Sequence, residues 1–558
     1  MPRETTRTTP NAAAIALVTL LVVTASSARA DDMRSLTILH TSDLHGHVAS
    51  VDPVTGEPAT GSLARVAGLI REVRETAPGT VLVLDSGDTL QGSPVEELPH
   101  VHWGEPSPTV AAMNRIGYDA AAVGNHEFNF GLEVLRRAER QARFPLLSAN
   151  TVDADTGEPA FRPYVVLERA GVRIGVLGLT TPSVPRWEVP AHYAGLHFEP
   201  IADAARRWVD TLRRDERCDV VVVLAHTGFE RDPRTGEART RRYGNHAWEL
   251  TRVDGIDVLL TGHDHRAEPP QELHGVVIAQ PRARARTVTR LDLTLERRDG
   301  GWRIAHWSGE LVDVTEHPLD PDLVEATADV EARVRSALDR TVGEVTDPVD
   351  VTGCRLRDCA VLDMVHASQL EASGADLSLT ALLSDGAPPL GPGPVTERWL
   401  RAMYVYPNRL VAVRLTGAQV VDVLEHSARY HDGIDCSGDG PCVVTTDAAI
   451  PRYNVDSLAG LSYRIDPTRP EGSRVTDVRL DGHPLDPGRV FTVVMNTYRA
   501  FGGGDYPHVT DAEVVWRSEG EVVDLLREWL AHHRPWRPTV DGNWSVAPDL
   551  VEPPRTGR

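Results

Sequence analysis

LTILHTSDLHGH (36–47) runs apolar for the length of one β-strand and then breaks into Asp43 and His45. Four later stretches repeat the pattern: VLVLDSGD (81–88), AAAVGNHEFNFG (120–131), VVVLAHTG (221–228) and DVLLTGHDH (257–265). A β-rich run followed at once by Asp, His or Asn is how a sheet presents ligands on the loops at one edge. One such run carries little weight, because a polar residue after a strand is usually a turn or helix cap. Five of them pool Asp43, His45, Asp88, Asn125, His126, His226, His263 and His265, too many of one chemistry for scattered loop residues.

Asp43 and His45 share one tight loop, and Asp88 ends its run with a carboxylate able to bridge two cations. Asn125 adds a neutral carbonyl oxygen, and His226, His263 and His265 add imidazoles. Mixed nitrogen and oxygen ligation suits Zn²⁺, Mn²⁺, Fe²⁺ or Co²⁺ better than Ca²⁺. Two such ions roughly 3.5–4 Å apart activate water and neutralise a phosphoryl group during in-line displacement. The expectation is a two-metal hydrolase. His126 follows a ligand and lies outside the ligand count, which leaves it to steady the transition state or protonate the leaving oxygen.

The remainder of the chain sets limits. At 558 residues it exceeds a single ordinary core, so two large domains are expected. Arg3 and Arg7 precede an apolar stretch from Ala12 to Ala25, and Ala28-Arg29-Ala30 offers a small-x-small cleavage site. That layout predicts a signal peptide over 1–30, an exported product (secreted or periplasmic) and no membrane span after cleavage. The formal charge is −22, and losing three Arg and one Glu with residues 1–30 makes it more negative by two. Such a surface repels long DNA or RNA, whereas small phosphates fit if metals and local arginines reverse the field at the site. All 58 basic residues are Arg, which excludes a Walker-type lysine loop and Schiff-base chemistry. Cys354/Cys359 and Cys436/Cys442 are close pairs suited to local disulfides, with cross-pairing left open, and Cys218 reads as a small buried residue.

Amphipathic stretches at 62–76, 109–116 and 201–214 alternate with the apolar runs as far as two strands at 286–314, so a first domain is expected over 31–316. Leu323, Val330, Val334 and Leu338 recur at helical spacing, predicting one linker helix over 317–345. A mixed α/β second domain follows over 346–548, with helices at 395–403, 417–428 and 520–532 and strands at 410–415, 461–465, 475–480 and 490–495. Residues 549–558 read as a disordered tail.

DLH (43–45), GD (87–88), GNHE (124–127), His226 and GHDH (262–265), in this order, resemble the calcineurin-like metallophosphatases, and within them the exported 5′-nucleotidase-like branch. The resemblance implies a four-layer αββα sandwich and two divalent ions. One would be held by Asp43, His45, Asp88 and His265, the other by Asp88, Asn125, His226 and His263. It also implies a C-terminal domain that rotates against the first and stacks two rings on a base. YPNRLVAVRLTG (406–417) and NTYRAFGGGDYP (496–507) resemble those segments, giving Tyr406 and Tyr498 as the rings and Asn408 and Asp505 as polar contacts.

Two departures refine the expectation. Members that cleave 5′-nucleotides read GNHEFD, whereas Asn129 stands here, and an Asn cannot act on the imidazole as an anion does. Their phosphate loop carries arginines, and the matching stretch 377–393 has none. Both departures, with the N-W-x-x-A-P ending at Asn543 to Pro548, resemble the 2′,3′-cyclic-nucleotide 2′-phosphodiesterase/3′-nucleotidases. The expected substrate is a small nucleotide, with a 5′-nucleotidase or UDP-sugar hydrolase as the alternative, and His126 with Asn129 as the catalytic pair.

Overall fold

The computed structural model describes residues 32–239, 244–384, 386–435, 443–447 and 450–546. The signal segment, Cys436, Cys442 and the tail lie outside the described residues.

The Val- and Leu-rich runs build two six-stranded sheets. Met33–Thr41 lies parallel to Thr80–Asp85, and the parallel set continues through Ala120–Ala122 to Leu146–Leu147. Its other edge takes Thr287–Arg298 and then Gly301–Asp313, both antiparallel to their neighbours. In the second sheet Val220–His226 sits in parallel between Val172–Thr180 and Val258–Thr261. Val276–Gln280 extends it in parallel, and Glu268–Leu273 and Tyr164–Arg169 close its edges antiparallel.

Side chains alternate along a strand, so a run apolar at every position must be covered on both faces. Ile38, Leu82, Leu84, Ile174, Val176, Val222 and Leu260 meet in one core between the sheets. The alternate residues Leu39 and Val83 turn outward into a core with the helices Leu63–Thr76 and Pro108–Ile116. Val221, Val223 and Leu259 pack outward with Ile201–Arg214. The first domain is an αββα sandwich, as the resemblance implies. Parallel strands end at one edge of a sheet, so five strand ends deliver their loops to one place.

The second domain is a five-stranded mixed sheet in the order 456–459, 377–381, 490–496, 409–416, 514–521. Ala360–Ser373, Glu397–Met403 and Val522–His532 cover one face and Gly417–Ala428 the other. The linker differs from expectation. The helix is Pro321–Leu338, capped by Asp320, and Leu323, Val334 and Leu338 are buried in the first domain's core. Thr341–Val345 is instead a strand paired with Gly393–Thr396. TVGEV carries three β-branched residues and a glycine, which favours a strand over another helical turn. Cys354 and Cys359 form a disulfide with Cα atoms 5.5 Å apart, and Cys218 is buried and free.

Candidate functional site

Each expected ligand leaves the C-terminal end of a parallel strand. Asp43, His45, Asp88, His263 and His265 all have positive φ, between 48° and 79°. Left-handed backbone is costly for residues with a Cβ, and its concentration on these five marks loops held against their own preference. The motif glycines are there for space. A Cβ on Gly124 would lie 2.2 Å from Asp88 Oδ1, and one on Gly262 would lie 1.9 Å from Ser42 Oγ.

Glu127, the last residue of GNHE, holds two of the loops together. Its buried carboxylate accepts the Asp88 and Gly124 N–H groups at 2.9 and 2.6 Å, and those of Thr89 and Leu90 at 2.6 and 3.2 Å. The motif was visible in the sequence; this role was not.

The ligands gather in two clusters, Asp43 with His45 and His265, and Asp88 with His226 and His263. Asn125 joins the second, its Oδ1 lying 3.1 Å from His226 Nε2 and 2.8 Å from His263 Nδ1. Asp88 groups with the second cluster, and its charge also acts on Asp43 and His45 of the first.

The orientation of these atoms fits cations. His45 Nδ1–H faces the Gln91 carbonyl at 2.9 Å and His226 Nδ1–H the Ser86 carbonyl at 2.7 Å, so both rings turn Nε2 inward. His45 Nε2 then meets His265 Nε2 at 2.9 Å, and His226 Nε2 meets Asp88 Oδ2 at 3.0 Å. Asp88 Oδ2 is buried with no hydrogen-bond donor. Lone pairs facing each other at such distances need positive charge between them. Burial opposes charge on His226, yet the Asp88 carboxylate beside it, helped by Asp43 and Glu127, raises the imidazole to about 10.

His126 stands outside both clusters, its Nε2 3.9 Å from Asp88 Oδ2. Its Nδ1–H donates to Asn129 Oδ1 at 2.6 Å, and Asn129 Nδ2 donates to Glu188 Oε2 at 2.6 Å. Asn129 thus links the imidazole to a buried carboxylate from a distant loop. Sequence reading missed Glu188, which no local pattern marks.

The C-terminal rings form a pocket of three members. Tyr453 meets Tyr406 edge-on at 6.0 Å between centroids and Tyr498 at 6.2 Å. Arg499 organises it: paired with buried Asp456 at 2.5 Å, it also donates to the Gly503 and Tyr453 carbonyls. Gly503 lies so close under the Tyr498 ring that a Cβ would sit 2.5 Å from it. Asn408 is engaged within the pocket wall, its Oδ1 accepting from Thr497 Oγ1 at 3.4 Å. Asp505 is exposed at the end of the glycine loop, with no ring contact among the described residues.

Arg284 joins the two halves. Its backbone N–H donates to the Asp43 carbonyl at 2.7 Å, and its charge acts on both His265 and Tyr406. Its guanidinium has no hydrogen bond or ion pair among the described residues. Arg282 and Arg286 lie close enough to act on one another and on it. The three arginines concentrate positive charge beside the clusters in an otherwise acidic chain.

A binuclear-metal phosphoesterase is the class that this fold and strand edge define. Residues 36–267 match the calcineurin-like phosphoesterases and residues 341–511 the 5′-nucleotidase C-terminal domain. The chain thus carries a calcineurin-like phosphoesterase domain followed by a 5′-nucleotidase C-terminal domain. It is 29% identical to the 2′,3′-cyclic-nucleotide 2′-phosphodiesterase/3′-nucleotidase of Haemophilus influenzae, over 92% of this chain and 87% of that one. It is 28% identical to the trifunctional nucleotide phosphoesterase YfkN of Bacillus subtilis, over 92% of this chain but 39% of that longer protein. A candidate 5′-nucleotidase structure from Staphylococcus aureus superposes with a TM-score of 0.77 at 28% identity, covering 92% of this chain and 99% of its own. The family implies divalent ions, and the two ligand clusters are where this chain can hold them.

Proposed function

We propose that this chain is an exported nucleotide hydrolase that opens 2′,3′-cyclic ribonucleotides to 3′-nucleotides and then releases phosphate from them. The observation that carries this reading is one assembly: two ligand clusters, an unpaired Arg284 beside them and a three-tyrosine pocket beyond it. Asp43, His45 and His265 form one ligand set and Asn125, His226 and His263 the other, with Asp88 shared.

A pair of ions bound there supplies Lewis acidity to the phosphoryl oxygens and lowers the pKa of water. Arg284 takes a remaining phosphate oxygen. Tyr406 and Tyr498 stack on the base while Tyr453 closes the pocket behind it, an arrangement tolerant of any base. His126 presents Nε2 toward the leaving ribose oxygen, and Asn129, oriented by Glu188, holds Nδ1–H so that the ring cannot turn away. Export rests on the leader-like residues 1–30, and among the described residues no helix is long and apolar enough to cross a membrane.

The test is phosphate and nucleoside release from 2′,3′-cAMP, 3′-AMP and 5′-AMP with protein loaded with Mn²⁺ or Zn²⁺. Turnover of the first two with little from 5′-AMP is expected. Preference for 5′-AMP would overturn the cyclic-nucleotide assignment in favour of a 5′-nucleotidase or UDP-sugar hydrolase, with Arg284 in place of the usual phosphate loop.

A further inference from the structure

Away from the strand edge, three carboxylates converge at the start of the helix Ala360–Ser373. Asp358 precedes the helix, Asp363 lies in its first turn and Asp541 comes from the far end of the chain. Each offers an oxygen within 4.8 Å of the others. Asp358 is only 7% exposed. Its Oδ2 accepts the Gly542 N–H at 2.7 Å, and Asp363 Oδ2 accepts the Asp541 N–H at 3.1 Å. Asp358 Oδ1 remains buried with no hydrogen-bond partner. Among the described residues none of the three carboxylates is in an ion pair. A buried carboxylate oxygen without donor or cation is costly, and two like charges beside it add to the cost. Burial, with Asp358 and Asp541 nearby, pushes Asp363 up to about 7.

We propose that Asp358, Asp363 and Asp541 form a third cation site, separate from the catalytic edge, for a hard divalent ion of the Ca²⁺ type. Oxygens up to 4.8 Å apart can share one ion at about 2.4 Å from each. Donors that are all oxygen, with water free to complete the shell at exposed Asp541, suit Ca²⁺ better than Zn²⁺, which favours the nitrogen donors of the histidine clusters. The ion clips the last described segment to the helix. That segment includes the strand Trp544–Val546, which pairs in parallel with Ser462–Ile465. The Cys354–Cys359 disulfide fastens the loop before the same helix, so covalent and ionic staples meet at one corner of the domain.

The test is thermal unfolding of the whole protein, its histidine clusters loaded with stoichiometric Zn²⁺, as Ca²⁺ is added. Asp541→Asn serves as the partner variant because its side chain is exposed and its loss spares the core. The wild type should gain several degrees in Tm by roughly 1 mM Ca²⁺. Asp541→Asn should start with a higher Tm, because a like charge is gone, and should need about tenfold more Ca²⁺ for the same gain. Turnover of 2′,3′-cAMP should match between the two. Equal Ca²⁺ responses in both proteins, or none in the wild type, would overturn the site. Tb³⁺ luminescence excited through nearby aromatic rings gives a second readout, and an equal signal in both proteins would overturn it as well.

Discussion

The strand edge and the tyrosine pocket lie on either side of Arg284 and are held by different means. At the edge, Asp43, Asp88, His45 and His226 are buried, the imidazoles are pinned through Nδ1, and Glu127 ties two loops by four backbone N–H groups. In the pocket Tyr498 is 41% exposed, the rings touch edge to face, and their positions depend on Arg499 reaching two carbonyls. The first region is preorganised within one domain, as stabilising developing charge requires. The second is assembled from three separate segments and keeps part of its ring surface exposed. The difference implies that edge substitutions strike kcat and pocket substitutions strike KM.

The sharpest way to break that comparison is Asp88→Asn, which removes the carboxylate proposed to serve both clusters. Turnover should fall on the order of 10³-fold or more, together with metal content measured by elemental analysis. A fully active, metal-loaded variant would show that the edge does not act as described.

Next in size is Asn129→Asp. It restores the residue that the 5′-nucleotidase pattern carries, yet here it sets a carboxylate against Glu188 at the 2.6 Å now spanned by a hydrogen bond. Turnover should drop by roughly 10²-fold, and Asn129→Asp with Glu188→Gln should recover most of it. Improvement in the single variant would mean that Glu188 plays no part in orienting His126.

Tyr453→Ala tests the other region. KM should rise about tenfold with kcat nearly unchanged, because Tyr406 and Tyr498 lose the ring that both lean on. An equal fall in kcat would erase the division between the two regions.

Smallest for turnover is Glu397→Gln, whose carboxylate pairs with Arg401 and Arg527 and touches neither region. Burial would raise the Glu397 carboxyl, but Arg527 and Arg401 hold it down at about 2, against an ordinary 4.5. A depressed carboxyl stabilises the fold fully above its unfolded pKa, and that contribution fades as pH falls from about 4.5 to 2. The variant should therefore be less stable by about 3 kcal/mol at neutral pH. Denaturant midpoints of the two proteins should converge below pH 4.5; a constant gap down to pH 3 would contradict the pairing.

The same contrast governs what could be read in advance. Strand runs ending in ligands are local patterns, so sheets covered by helices and the seven candidate ligands were legible from residue order, while the four-layer sandwich came from the family resemblance. The helices at 63–76, 201–214 and 417–428 followed from apolar spacing for the same reason. Glu188, Arg284 and Tyr453 carry no such mark, because each lies in a bend or a single short turn and gains its place only when distant strands and domains assemble. The linker was read too long because apolar spacing continues past Leu338, while the pairing that turns Thr341–Val345 into a strand comes from residues 393–396.

That early turn has a mechanical consequence. The helix Pro321–Leu338 is rooted in one domain and the strand Thr341–Val345 belongs to the other, leaving Asp339 and Arg340 as the covalent span between them. A joint two residues long keeps the two domains from drifting apart, and Arg398 braces it, donating to Asp339 Oδ1 at 2.8 Å and to the Val54 carbonyl of the first domain at 3.1 Å. The rotation that the family resemblance implies would have to pivot at Asp339 and Arg340 and release this brace.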